Sequence, residues 1–123
     1  MSENPITYQL TIRLTTDTQI AIGRFGSCFF PAGDYIYTGS ARRNLEARIA
    51  RHCRKDKKLR WHIDYLLAKA ETSIIHIARY TQAECAINQL QAGSILIKGF
   101  GASDCHAGCG SHLKYLGRTD KHD

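Results

Sequence analysis

From Tyr8 to Leu14 the chain reads YQLTIRL, apolar and polar residues alternating with the period of two expected of a half-buried strand. Thr15 to Thr18 forms a polar turn, and Gln19 to Gly23 reads as a second strand. Gly26 and Pro31-Ala32-Gly33 then punctuate the chain. Tyr35 to Thr38 is a third short strand that runs out at Gly39-Ser40. Strands spaced this closely predict antiparallel pairing. The period then changes. Leu45, Ile49 and Cys53 recur at i, i+4, i+8, which predicts a helix from Leu45 to about Arg54 with Asn44 as its cap. Arg48 and His52 form the neighbouring stripe of that helix. The charged run KDKK interrupts, and Trp61 to Ala70 reads as a second helix with Ile63, Leu66 and Leu67 inward. SIIHIARY, Ser73 to Tyr80, alternates again as a strand. Thr81 opens a third helix reaching about Leu90, with Ala86, Ile87 and Leu90 apolar, and Ser94 to Lys98 is a further short strand. Beyond the glycine-rich GFGASDCHAGCG, the segment HLKYL is placed to close a sheet edge.

This order of elements predicts a single α+β domain over residues 1–123, a small antiparallel sheet flanked by helices. At 43% apolar and 23% charged residues the chain has the means to bury a modest core, which excludes wholesale disorder. No apolar run approaches the roughly 18 residues a membrane span needs, so no membrane partner is expected. MSENPITYQL lacks the basic-then-apolar order of a secretory signal, which makes a cytoplasmic location the expectation. In that setting the five cysteines read as reduced thiols or metal ligands rather than a disulfide framework. A net charge of +6 favours a polyanionic partner, nucleic acid above all. The charge is concentrated: from Arg42 to Arg60 there are nine Lys and Arg against Glu46 and Asp56.

Four places carry candidate chemistry. Tyr35 and Tyr37 share one face of a strand, Tyr8 lies on a strand that can run beside it, and Gly39 leaves room for a backbone or substrate to approach. The same tyrosines also make ordinary strand residues with a wet hydroxyl. Arg48 and His52, one turn apart, pair a permanent cation that grips phosphate oxygens with an imidazole that exchanges protons near neutrality. A solvated basic face would look alike. Glu84 offers the hard oxygen a divalent cation requires, yet Thr81-Gln82-Ala83-Glu84 also spells a capping box. Cys105, His106, Cys109 and His112 are dense enough for zinc, although their spacing is not that of paired C-x₂-C motifs. His62 lies beside Trp61, either near a cleft or as a packed, hydrogen-bonded side chain.

The order of these residues is more telling than any one of them. Tyr8, then Tyr37-Thr38-Gly39, then Arg48 with His52, then Glu84 resembles the GIY-YIG nuclease superfamily. GDYIYTGSA, RWHIDYLL, AECAINQL and GFGASDCHAGCGSHLKYL together resemble one small branch of it, from about Thr7 to Leu116. The resemblance implies a three-stranded antiparallel sheet flanked by helices, and Mg²⁺- or Mn²⁺-dependent hydrolysis of a DNA phosphodiester. Glu84 would be the metal ligand, and Arg48 would stabilise charge on the phosphate. Tyr8 or Tyr37 would activate or orient the attacking water, with His52 assisting. Gly39, Ser40, Arg42, Arg43 and His62 are expected on the substrate side. The chain departs from the family pattern in reading Ile6-Thr7-Tyr8 and Tyr-Thr-Gly. It also has an extra N-terminal hairpin through Ile20 to Phe30, placed to reshape substrate access. A catalytically inactive nucleic-acid-binding module on the same scaffold is the alternative, and a partner protein is a possible source of specificity.

Overall fold

Alternation along the first strand is carried through into burial: Tyr8, Leu10, Ile12 and Leu14 are all inside. The computed structural model describes residues 4–41, 43–56, 58–59, 61–97, 100 and 111–118. Within them run β1 (Thr7–Leu14), β2 (Thr18–Ile22), β3 (Gly26–Phe30), β4 (Gly33–Ser40), α1 (Leu45–Cys53), α2 (His62–Leu67), β5 (Thr72–Tyr80), α3 (Glu84–Leu90) and β6 (Leu113–Gly117). The fold is α+β, with a four-stranded antiparallel sheet in the order β5-β1-β4-β6 and a separate β2–β3 hairpin. HLKYL supplies the fourth strand, so the sheet is one strand wider than the three-stranded one the resemblance implies.

One face of the sheet carries the core. Tyr8, Leu10 and Ile12 of β1 and Tyr35 and Tyr37 of β4 meet Leu45 and Ile49 of α1 and Ile63, Leu66 and Leu67 of α2. The extra hairpin sends Ile20, Ile22, Cys28 and Phe30 into the same cluster. It is a wall of the core. The opposite face is polar: Gln9 Nε2 donates to Thr38 Oγ1 and Gln91 Oε1, while the Tyr80 hydroxyl donates to Gln9 Oε1. Here α3 packs on β1 and β4. Among the described residues no helix is long and apolar enough to cross a membrane.

Several local expectations are corrected. Asn44 makes no side-chain cap; it takes the left-handed conformation (φ 54°) and its carbonyl accepts the Arg48 N–H. The buried stripe of α1 is Leu45, Ile49 and His52, while Cys53 is exposed. A helix docked beside a sheet turns the i+7 position inward as readily as i+8. The third helix starts at Glu84 rather than Thr81, and its N-cap Ala83 makes no side-chain bond. Of its apolar residues, Ile87 is buried while Leu90 is 84% exposed. The reciprocal cap falls at α2: the Trp61 N–H donates to Asp64 Oδ2 and the Asp64 N–H to the Trp61 carbonyl. Of the short strand expected from Ser94, only a bridge from Ser94 to Tyr115 is present among the described residues, and Lys98 lies outside them.

Candidate functional site

Tyr8 and Gly39 are cross-strand partners at the end of the β1–β4 pairing. A Cβ on residue 39 would come within 2.5 Å of the Tyr8 hydroxyl oxygen and 3.1 Å of the Tyr37 ring. The space left by Gly39, expected for a substrate, is therefore taken by the phenol of Tyr8. That hydroxyl lies 2.7 Å from His52 Nε2. Both side chains are buried, and the His52 ring also packs against Tyr37 and Trp61. Burial, reinforced by Tyr37, drives the Tyr8 phenol well above its ordinary pKa despite the opposing charge of Arg48. Burial does the same for Tyr37, with Glu84 and Asp64 adding to it. Both phenols are thus protonated at neutral pH.

Ser40, the next residue, joins the two faces of the sheet. Its carbonyl accepts from Arg48 Nη1 at 2.7 Å, and its hydroxyl donates to Glu84 Oε1 at 2.7 Å. Ser40, expected on the substrate side, thus ties the guanidinium and the carboxylate to one residue. The second carboxylate oxygen of Glu84 lies 2.6 Å from His112 Nδ1. The capping-box reading of Glu84 does not hold, since both oxygens are taken by residues distant in sequence. Burial works to raise the Glu84 pKa, but the hydrogen bonds of His112 and Ser40 and the charges of His112 and Arg48 outweigh it. The carboxyl is held below its ordinary value and stays ionised. Its side chain keeps 26% of its surface open. A carboxylate offers about four lone-pair positions, so two bound donors leave it able to take a hard divalent cation completed by water and phosphate. Among the described residues no group of three or more His, Cys, Asp or Glu side chains is placed to hold a metal ion, so a cation here would rest on this single carboxylate.

Trp61, which the sequence singled out only as a neighbour of His62, sits under two guanidiniums. Arg48 Cζ is 4.8 Å and Arg51 Cζ 4.4 Å from its ring centroid. Arg51 in turn pairs bidentately with fully buried Asp64, at 2.9 and 3.0 Å, and donates to the Lys58 carbonyl. Lys55 Nζ is spent on the carbonyls of Leu67 at the end of α2, Lys69 in the turn after it and Thr72 at the start of β5. The basic segment therefore has two parts. Arg48, Arg51 and Lys55 are tied into the fold, while Arg43, Arg54 and Lys58 are exposed. Arg42, Lys57 and Arg60 lie outside the described residues.

The structure brings Tyr8, Tyr37, Arg48, His52 and Glu84 to one end of β4. His62 goes elsewhere: it packs edge-on against Phe25, 4.7 Å between centroids, and against Phe100, and burial lowers its pKa. Of the proposed zinc residues, His112 has its Nδ1 on Glu84, and Cys105 and Cys109 lie outside the described residues, as does His106. Trp61 and the Glu84–His112 contact escaped the sequence reading. Neither partner is within helix or strand spacing of the residue it serves, so no local pattern signals them. A family model described as a domain of unknown function, DUF123, matches residues 7–123. No curated protein and no solved structure matches the chain.

Proposed function

This chain belongs to the DUF123 family, and we propose that it acts there as a metal-dependent DNA endonuclease of the GIY-YIG type. The single observation that supports this most is the double use of Ser40, which tethers the Arg48 guanidinium and the Glu84 carboxylate to one residue beside the Tyr8 hydroxyl. A purely anion-binding site gains nothing from an ionised carboxylate at its centre, because it repels phosphate unless a cation intervenes.

In this reading Glu84 holds Mg²⁺ or Mn²⁺, which when bound polarises the phosphate oxygens. The Arg48 guanidinium, already oriented by Ser40 and the Trp61 face, neutralises charge that develops on the phosphate. The phenol of Tyr8 is protonated at rest and therefore cannot serve alone as a base. His52 supplies the missing acceptor. As water attacks phosphorus, a water proton passes to the Tyr8 oxygen while the phenolic proton passes to His52 Nε2, so the phenolate charge never has to be held in the core. The P–O bond to the leaving deoxyribose breaks, and that oxygen takes a proton from solvent. Exposed Arg43, Arg54 and Lys58 supply backbone attraction along α1 and the loop after it.

The test is cleavage of labelled duplex, single-stranded, flapped and four-way DNAs with Mg²⁺ or Mn²⁺. Metal-dependent cutting by the wild type, lost in both Arg48→Ala and Glu84→Gln, is the expected result. Salt-sensitive DNA binding with no cutting of any substrate, unchanged by Glu84→Gln, would instead establish an inactive binding module.

A further inference from the structure

Glu84 is gripped from both sides, by Ser40 on one oxygen and by His112 on the other. His112 presents Nδ1 to Glu84 Oε2 at 2.6 Å, with its own side chain only 3% accessible. The backbone that carries it is clamped. Its N–H donates to the Phe100 carbonyl and its carbonyl accepts the Thr38 N–H, both at 2.9 Å. The carbonyl of Ser111, one residue before it, accepts from Asn88 Nδ2 of α3 itself, also at 2.9 Å. The imidazole thus has little freedom to swing away, and the same helix that carries Glu84 fixes the segment opposing it.

We propose that His112 is a positioning residue for Glu84. It freezes the carboxylate in one orientation, with its open side available to a divalent cation, so that cation binding need not order the side chain. This rests on the nuclease reading in taking Glu84 as the cation ligand. A glutamate at the first position of a helix otherwise samples several rotamers, and ordering such a side chain on binding lowers affinity. Ser40 restrains one oxygen and is itself held through its carbonyl by Arg48. His112 restrains the other. The two supports come from distant parts of the chain, β4 and the approach to β6. The C-terminal segment is therefore part of the phosphate site rather than an appendage to it. Supporting bonds of this kind change cation affinity by about tenfold to a hundredfold.

The experiment uses the whole chain and Mn²⁺ alone, with binding read from free Mn²⁺ by electron paramagnetic resonance and from paramagnetic broadening of α3 amide signals. Wild type, Glu84→Gln, His112→Ala and His112→Asn are compared below their melting temperatures. The expected pattern is loss of binding in Glu84→Gln and a Kd raised about tenfold or more in His112→Ala. His112→Asn places an amide N–H near the position of Nδ1 and should recover most of the affinity. It also keeps the test decisive where His112→Ala does not fold. Wild-type affinity in folded His112→Ala overturns the positioning role and leaves the nuclease reading standing. A folded His112→Asn that binds as poorly as Glu84→Gln overturns it as well, and so does a stoichiometric zinc lost on replacing His112. No Mn²⁺ binding by the wild type, either alone or with a short uncleavable duplex that supplies the phosphate oxygens, removes Glu84 as a ligand and takes the nuclease reading down with it.

Discussion

Gly39 and Tyr8 face each other across β4 and β1, and the side chain that residue 39 lacks would have to occupy the place of the Tyr8 hydroxyl, 2.5 Å from its oxygen. Gly39 is thus the cavity into which the phenol fits while it meets His52. Gly39→Ala should push the ring off His52 and destabilise the fold by about 1–3 kcal/mol, the usual cost of overpacking a tight site. Tyr8→Phe keeps the ring and should stay folded while losing about a hundredfold or more in cutting rate. Chemical denaturation and single-turnover cleavage of the two variants separate packing from chemistry. Equal stability of Gly39→Ala and wild type would show that Tyr8 has another place to go.

Arg51 and Arg54 stand one turn apart on and just beyond α1, but their charges have different duties. Arg51 is locked to buried Asp64, whereas Arg54 is exposed. Arg51→Ala strands a carboxylate in the core and should cost about 3 kcal/mol, since breaking a buried pair runs to roughly 3–5 kcal/mol. Arg54→Ala and Lys58→Ala should leave stability within about 0.5 kcal/mol. Each should instead lower the slope of log K against log salt for DNA binding by about one. Thermal melts alongside a salt titration of DNA affinity check both halves. A salt slope untouched by the two exposed replacements would remove this face from the DNA footprint.

Acid should unpick the Glu84 site in a defined direction. Burial opposes ionisation, but His112, Ser40 and Arg48 prevail and the folded pKa lies below the unfolded value of about 4.3. The unfolded chain therefore binds the proton more readily. The stabilisation from Glu84 is fully present above about pH 4.3 and is lost as pH falls through the lower folded value. Denaturation of wild type and Glu84→Gln from neutral pH downward should show a stability gap that closes in acid. A gap constant over the whole range would mean that the carboxyl is not held ionised by these neighbours.

Trp61 should matter to turnover more than to DNA affinity. Its ring lies against Arg48 and Arg51 at 4.8 and 4.4 Å, and against His52. A cation over an indole face is worth about 0.5–2 kcal/mol. Trp61→Leu should therefore lower kcat for cleavage by about three- to thirtyfold with KM little changed, and Trp61→Phe should fall less. Steady-state kinetics decide it. A rise in KM alone would make Trp61 a DNA contact instead of a support for Arg48.

The strands and helices were largely legible because their signals are local. YQLTIRL and SIIHIARY alternate, and strands formed where they do. The α+β class followed from the order of strands and helices, whereas the hairpin was expected only from the chain's departure from the family pattern. Local rules failed where a second influence competed with them. At Thr81-Gln82-Ala83-Glu84 the capping spacing was present, but Glu84 was drawn to Ser40 and His112, and the helix began at Glu84 without a side-chain cap. On α1 the i, i+4, i+8 spacing pointed to Cys53, while packing against Tyr8 and Trp61 took His52 instead.

By itself the sequence determined most of the segments that become strands and helices, the excess of positive charge after β4, and which acidic, cationic and phenolic side chains a site could draw on. These are matters of period, composition and covalent chemistry, read within a few neighbouring positions. Only the tertiary structure decided which arginine is a strut and which faces solvent. It alone seated Tyr8 in the space left by Gly39 and joined His112 to Glu84. Those relationships depend on sheet order and helix docking, which bring together residues as far apart as 40 and 84. Chain spacing carries no information about such contacts, because they are set by how buried faces close on one another.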